Sequence, residues 1–458
     1  MGKRCVRIGQ SDANEELYFG LDLHDWRPSY ARNAVRGGSL MERVAIVGAG
    51  LAGLAAARRL QKANFTDFVI LERTSRAGGR VETGSFEGFR LDAGFHVAST
   101  SYPAVREIVS AASLHPAWFD SGVLLQSASG ELLPFYNPFR HPAKAWKAGL
   151  PPFSWWDLFQ LARLALEALV PPGKAWSSRH QETAAQLLAR RQFSADCLDS
   201  FWRPFFGGVF LDNQLASSAG LLRYYLRNFI LGRAFLPTGG IEKLAAALLQ
   251  DIPESRIRFG AAVRAVEKGA DEFRLVLDSG EILRAAVVIL ANGPVGGAQI
   301  LGWKEPSMRS TTSVFFRSRR ALYSERCLVL PRAKTPFVRH FVQLTNIDPG
   351  LAPEGVHLLS ATVLDDRGLD DETLFQIALQ EIGGVMPDAA GLLEPLHVVR
   401  VPAALPEQTP QNLVTWRQRC ATLPEGLMVA GDLAGNASQQ NAMQSGVACA
   451  EAAIQLLR

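Results

Sequence analysis

The chain has 458 residues, 48% of them hydrophobic and 20% charged, a composition that fits a globular protein and excludes wholesale disorder. Its 48 Lys and Arg against 44 Asp and Glu leave a net charge of +4, too small a surplus to point to nucleic acid. No apolar run reaches the about 18–20 residues of a membrane-spanning helix. At about 100–200 residues per domain, the length fits two or three domains or one large α/β enzyme with insertions. Cys5, Cys197, Cys327, Cys420 and Cys449 are scattered and form no C-x-x-C pair. Neither a disulfide framework nor a metal site is therefore expected, and a reducing, cytoplasmic setting is.

Met1–Leu40 show no sustained helical or strand period. Gly2-Lys3-Arg4-Cys5 is followed by no apolar core of a secretory signal, and Val6 stands where a myristoylation site needs Ser or Thr. Two expectations follow: a flexible N-terminal arm, or an upstream extension of a chain that starts at Met41. The intact mass of the native protein distinguishes them.

The strongest signal starts at Arg43. Val44-Ala45-Ile46-Val47 is a short apolar run of the buried parallel-strand type. It breaks at Gly48-Ala49-Gly50-Leu51-Ala52-Gly53 and continues with helical spacing over Leu51–Lys62. A second strand, Phe68–Leu71, ends in Glu72, 24 residues after Gly48. Gly48 suits a tight turn, Gly50 a close approach of backbone to pyrophosphate, and Gly53 the packing of helix on strand. The helix N-terminus at Leu51 offers free N–H groups and a partial positive charge to phosphates. Glu72 would accept hydrogen bonds from ribose hydroxyls. A glycine triplet alone is weak; strand, turn, helix, strand and terminal acid together point to a bound dinucleotide.

Glu72-Arg73 is followed by Arg76-Ala77-Gly78-Gly79-Arg80-Val81 and then by Asp92-Ala93-Gly94-Phe95-His96-Val97. In these residues the chain resembles the superfamily of flavin-dependent amine oxidases and phytoene desaturases, which also contains protoporphyrinogen oxidase. The resemblance is nearest to the carotene-desaturase branch, and it implies FAD. It places Arg73 and the Gly79-Arg80 turn near the ribose and pyrophosphate, and runs Gly94, Phe95 and His96 past the flavin ring. His96 is thereby a candidate catalytic residue. Two further segments match. Arg256–Val266 and Phe273–Leu277 alternate like hairpin strands joined through Lys268-Gly269-Ala270-Asp271, and Ala285–Leu290 runs into Ala291-Asn292-Gly293-Pro294. The resemblance gives Val263 an adenine contact and lets Asn292 close over the cofactor. Near the C-terminus, Leu427–Ala430 lead into Gly431-Asp432, implied contacts of the ribityl and phosphate groups. A helix from about Gln440 to Leu457 then aims its N-terminus at the flavin.

The implied fold class is α/β: a discontinuous Rossmann-like FAD-binding domain over 41–112, 233–299 and 419–458, with an inserted α+β substrate domain over 113–232 and 300–418. Of the insertions, ~113–232 read as mainly helical and ~300–418 as strands and turns with some helix. The Pro237-Thr238-Gly239-Gly240 turn leads back to the cofactor domain through a helix over Ile241–Gln250.

A flavin needs a substrate C–H held over its ring in a dry pocket, not a protein nucleophile or a metal. Amine oxidases of the resembling superfamily carry a lysine on the strand after the second cofactor segment. By register with Val314-Phe315-Phe316 that position falls at Thr311 or Thr312, which argues against amine oxidation. The expected function is an FAD-dependent oxidoreductase that removes hydride from a lipophilic, carotenoid- or isoprenoid-like substrate. The alternatives are a flavin amine oxidase acting on a small amine and a non-catalytic carrier on the same fold. With no second dinucleotide fingerprint, the expected electron acceptor is dioxygen, a quinone or a protein carrier.

One helix bears on substrate entry. Ser154 and Asp157 make a capping-box pattern after Pro151-Pro152-Phe153, and the helix from Trp155 to Val170 stops at Pro171-Pro172-Gly173. Asp157, Gln160, Arg163 and Glu167 form one narrow polar stripe, while Trp156, Leu158, Phe159, Leu161, Leu164, Leu166 and Leu169 cover nearly all the rest. A helix this apolar is buried in the substrate domain, lines a tunnel, or lies in a membrane surface as a peripheral contact.

Overall fold

The computed structural model describes residues 42–107, 109–148, 153–170, 181–333, 336–389 and 391–458. The expected N-terminal arm or extension lies outside the described residues, as do Met41, Cys5, Pro151-Pro152 and Pro171-Pro172-Gly173.

Strand Glu42–Val47 enters the core, Gly48 turns with φ +102°, and helix Leu51–Lys62 begins at once. Strand Phe68–Leu71 pairs in parallel with the first strand, Val44 opposite Phe68 through Val47 opposite Leu71. Strand Ile282–Leu290 lies parallel on the other side, and Leu427–Val429 pairs with it. Val44–Val47, Phe68–Leu71 and Val287–Leu290 are buried, because helices or sheet neighbours cover both faces; hence their continuous apolar runs. Helix Leu51–Lys62 packs on the C-terminal helix Gln439–Leu457 so closely that a Cβ on Gly446 would lie 2.1 Å from the Ala52 carbonyl oxygen.

The expected single strand Arg256–Val266 needs correction. Ile257–Arg258 adds a parallel edge to Phe68–Leu71, the chain crosses Gly260 with φ +68°, and only Val263–Lys268 pairs antiparallel with Phe273–Leu277. The break is physical: the two segments pair at opposite ends of the strand order, so the chain leaves one edge of the sheet at Gly260 before it joins the other. The Lys268–Asp271 turn is where expected, with the Gly269 N–H donating to the Glu272 carbonyl.

A second, seven-stranded sheet draws on distant stretches. Its order is Glu394–Pro406, Met308–Ser318, His357–Val363, Val338–Gln343, Leu328–Leu330, Gly122–Gln126 and Leu132–Tyr136. On one face Val314, Phe316 and Phe341 pack against Leu374 and Ile382 of helix Asp371–Val385. The alternate residues Phe315, Val342 and Leu358 face the other way and meet Phe89, Leu91 and Phe119, as the two-residue period of a strand requires. The region 113–232 is thus less uniformly helical than its composition predicts, since it supplies two strands to this sheet and Pro116–Trp118 to a smaller one. The fold is mixed α/β, with a Rossmann-like parallel sheet beside a mainly antiparallel one.

Candidate functional site

One cavity of about 1,720 Å³ is lined by residues of both sheets, well above the roughly 300–1,000 Å³ of a common small-ligand pocket. Every residue expected at the cofactor lines it except Gly53. Gly53 has the packing role expected of it: a Cβ there would sit 1.9 Å from the Gly48 carbonyl oxygen.

The backbone tests whether FAD fits. Gly50 has φ −77°, a value any residue adopts, and a Cβ on it would meet only Gly79 Cα, at 4.0 Å. Its place is reserved by the ligand space, not by the fold. Gly79 (φ +61°) packs on Gly50 in turn, and the Gly78 N–H donates to the Ala49 carbonyl at 2.8 Å. The Gly78-Gly79 turn and the Gly48–Gly53 loop therefore form one backbone cradle. Leu51 and Ala52 bring a helix N-terminus to it, and Gln439 and Ala442, at the start of the C-terminal helix, line the same cavity. The first presents partial positive charge to phosphate.

Charged groups brace this cradle. Glu72 is buried; one carboxylate oxygen accepts the Ala49 N–H at 2.8 Å and the other accepts Thr74 N–H and Oγ1 at 2.9 and 2.8 Å. The acid expected to reach the ribose thus also fastens the phosphate loop to its own strand. Arg80 reaches across to Asp432, with Nη2 2.6 Å from Oδ2, while its Nη1 donates to the Ala404 carbonyl at 2.7 Å. Arg80 and Asp432 belong to separate motifs of the sequence, and the fold makes them an ion pair. Asn292 Oδ1 is buried with no partner, the kind of acceptor that a ligand satisfies. Arg73 is exposed at the rim, and Val263 opens the strand beside it.

Farther along lie Gly94, Phe95 and His96. A Cβ on Gly94 would be 3.5 Å from Thr311 Cγ2 and 3.7 Å from His96 Nε2, so Thr311 stands beside this segment. Thr312 turns away, its hydroxyl donating to Asp366 at 3.0 Å. Of the two, Thr311 is the one that lines the cavity, and no lysine lines it among the described residues. His96 Nε2 lies 2.9 Å from the Ala93 carbonyl. Burial pushes its pKa down, against the opposing pull of Asp92, so its ring is a neutral pin on its own loop. A different histidine, missed in the sequence, faces the cavity. His340 is buried and stacks edge-on to Phe95 at 5.2 Å. Burial, then the neighbouring Arg339 guanidinium, push its pKa down to about 3. Only the long-range pairing of strands brings it here, and no local motif marks it.

Beyond the ring segment the lining is apolar: Phe135, Leu158, Leu161, Phe201, Phe205 and Phe229. Helix Trp155–Leu169 has the predicted capping box, with Ser154 and Asp157 bonded reciprocally. Its burial is inverted, however. Asp157 and Gln160 of the polar stripe are buried, while Trp155 is 76%, Phe159 55% and Leu166 66% exposed. Asp157 and Glu167 of the stripe turn inward because they meet polar partners, while Arg163 stays exposed: Asp157 accepts Ser194 N–H and Oγ at 2.8 and 2.7 Å, and Glu167 pairs with buried Arg191 at 2.6 Å. Burial of the helix as a whole is thereby corrected; only Leu164 and Ala168 of its apolar residues are fully inside. Leu166 and Phe139, the latter 84% exposed, also line the cavity, so the apolar arm reaches the surface there. Among the described residues no helix is long and apolar enough to cross a membrane, and no cluster of metal ligands occurs.

The family model for flavin containing amine oxidoreductases matches residues 51–454. Polyamine oxidase 1 of Zea mays is 33% identical over 90 residues, and the match spans 20% of this chain and 16% of that relative's length. Putrescine oxidase bound to putrescine has the same fold, with a TM-score of 0.69 at 18% identity over 91% of this chain and 99% of the other. A protein of Exiguobacterium sp. assigned as a protoporphyrinogen oxidase has a TM-score of 0.69 at 20% identity, over 91% of this chain and 99% of the other. The chain belongs to the flavin containing amine oxidoreductase family, whose members are FAD-dependent oxidoreductases.

Proposed function

We propose that this protein removes hydride from a C–H bond of a lipophilic, carotenoid- or isoprenoid-like substrate, as a desaturase or oxidase. The observation that carries the reading is one continuous cavity whose cofactor end is glycine-lined and whose other arm is apolar and reaches the surface at Phe139 and Leu166. FAD supplies the two-electron oxidant. The Gly48–Gly53 and Gly78-Gly79 backbone, Glu72, Arg80, Asn292 and Asp432 would hold it, with Arg73, Val263 and Gly431 alongside. Thr311, Phe95 and His340 bound the space beside the Gly94–His96 segment. The apolar arm excludes water and aligns the chain of the substrate, which is the positioning that hydride transfer needs. The domain division read from the sequence belongs to this proposal; each of the two sheets falls almost wholly within one of the two units. Dioxygen, a quinone or a protein carrier would reoxidise the flavin.

Entry from a membrane surface of the cytoplasm is part of the same reading. Trp146 (89% exposed), Trp155, Trp156 and Phe159 are exposed aromatic rings on helices Pro142–Ala148 and Trp155–Leu169. The second helix also lines the arm through Leu158, Leu161 and Leu166, and Arg140, Lys147 and Arg163 are exposed on the same stretches. Interfacial aromatics flanked by cations suit an anionic lipid surface.

The second reading, oxidation of a small amine, is favoured by the polyamine and putrescine oxidases among the relatives. Thr311 in place of a lysine weighs against it. So does the lack, among the described residues, of a free carboxylate in the apolar arm: Asp120, the acid that lines it, is paired with Lys144 at 2.6 Å. Anaerobic mixing tests the choice. Bleaching of the flavin by polyenes and not by putrescine or benzylamine is expected; rapid bleaching by either amine overturns the proposal.

A further inference from the structure

Three adjacent strands bring a row of polar side chains to the cavity wall near Phe95, where the apolar arm begins. His340 of Val338–Gln343 is opposite Thr362 of His357–Val363, which is opposite Ser313 of Met308–Ser318. Directly paired residues share a face of the sheet, so the three lie side by side. All are buried, and His340 and Thr362 line the cavity. Both ring nitrogens of His340, Thr362 Oγ1 and Ser313 Oγ lack any hydrogen-bond partner. Buried polar atoms are rarely left unpaired, and here four occur in one row. The backbone is shaped around this ring: a Cβ on Gly208 would lie 2.6 Å from His340 Nδ1 and Cε1. The ring therefore rests against bare glycine backbone and, on another side, edge-on to Phe95.

The chemistry of the row narrows what can fill it. A neutral imidazole has one donor and one acceptor, and each hydroxyl has both. The row holds no carboxylate to receive an ammonium ion and no free cation to receive a carboxylate. The nearest guanidinium, Arg339, is turned to the Arg203 carbonyl and to Asn213.

We propose that His340 and Thr362, backed by Ser313, form a subsite for an uncharged oxygen group, a hydroxyl or carbonyl, on the lipophilic substrate. Anchoring that group fixes how far the chain slides along the arm, and so which carbon stands beside the Gly94–His96 segment. This inference rests on the reading of the arm as the site of a lipophilic substrate.

The test uses full-length flavin-loaded protein and follows the visible flavin spectrum during titration with decane, 1-decanol, 2-decanone and decylamine in detergent micelles. In the wild type, decanol and decanone should perturb the spectrum at concentrations about tenfold below decane, the equivalent of one net hydrogen bond. Thr362→Val and His340→Phe should each bring that preference over decane below about threefold, and His340→Gln should restore part of it. Thr362→Val is nearly isosteric and keeps the test valid if His340→Phe fails to fold. A preference that survives both variants overturns the subsite, as does decylamine binding tighter than decanol. If no probe, decane included, perturbs the flavin, the lipophilic reading of the arm falls and the subsite with it.

Discussion

The two ends of the cavity are built from different parts of the chain. At the cofactor end the groups that face the space are mostly backbone: the Gly48–Gly53 loop, the Gly78-Gly79 turn, Gly431 and the N-terminus of helix Leu51–Lys62. At the substrate end they are side chains, brought from Phe135, Leu161, Phe205, His340 and Thr362 by strands and helices far apart in sequence. A backbone site needs side chains to be absent at fixed spacing, and a run of glycines records that need locally. A side-chain site needs particular groups to meet, and nothing within a short window says which will. The first kind of site also constrains substitution more sharply, and that difference can be tested.

The largest effects should separate two glycines of one loop. Gly50→Val places its side chain in open ligand space, since only Gly79 Cα lies near. It should cost FAD binding more than about 3 kcal/mol, roughly a hundredfold or more, with the apoprotein still folded. Gly53→Val would drive a Cβ into the Gly48 carbonyl and should lose fold and flavin together. Bound-flavin absorbance and far-ultraviolet circular dichroism read the two outcomes. A yellow, stoichiometric Gly50→Val protein would contradict the cradle.

Much of the first end was legible in the sequence for this reason. Strand Phe68–Leu71, helix Leu51–Lys62 and the Gly431-Asp432 turn follow from apolar runs and glycines that owe nothing to distant partners. The Arg80–Asp432 pair was not legible, because it joins residues far apart in sequence that only the fold brings together. His340 has no local signature at all, whereas His96, which has one, is occupied by the Ala93 carbonyl. The Trp155–Leu169 helix shows the limit most clearly. Its period, cap and apolar excess were readable, but which face turns inward depended on Ser194 and Arg191 of a later segment.

Next in size is Glu72→Ala. Hydrogen bonds to a buried carboxylate contribute about 1.5–3 kcal/mol, and here they serve both the expected ribose contact and the Ala49 and Thr74 N–H groups. The substitution should weaken FAD binding by roughly ten- to a hundredfold and lower the melting temperature of the apoprotein as well. Flavin affinity unchanged in Glu72→Ala would remove Glu72 from the cofactor site.

A smaller effect, of roughly 2 kcal/mol, is expected for Asp157→Asn. Burial raises the pKa of Asp157, but hydrogen bonds from Ser154 and Ser194 outweigh it and hold the carboxyl below its ordinary value of 3.8. A depressed native pKa means stability that is fully present above the unfolded-state value and lost as pH falls through the native one. Wild-type stability should therefore decline below about pH 4 more steeply than that of Asp157→Asn. Denaturant unfolding at pH 7 and pH 3 measures both, and parallel pH profiles would show that the cap bears no charge-dependent load.

The smallest effect on folding should come from the most conspicuous apolar residues. Trp155 and Phe159 are 76% and 55% exposed, so replacing both with Ser removes little packing and should shift stability by no more than about 0.5 kcal/mol per site. The same change strips two exposed rings from the helix that lines the apolar arm. If those rings meet a membrane, co-sedimentation with anionic liposomes should fall sharply in the double variant while the thermal unfolding midpoint stays near the wild-type value. Raised salt should weaken wild-type binding too, because Arg140, Lys147 and Arg163 act through screened charge. A double variant that unfolds at lower temperature would instead mark these rings as packed against the protein. No liposome binding by the wild type would leave the arm an entrance from water, and would favour substrates far more soluble than a carotenoid.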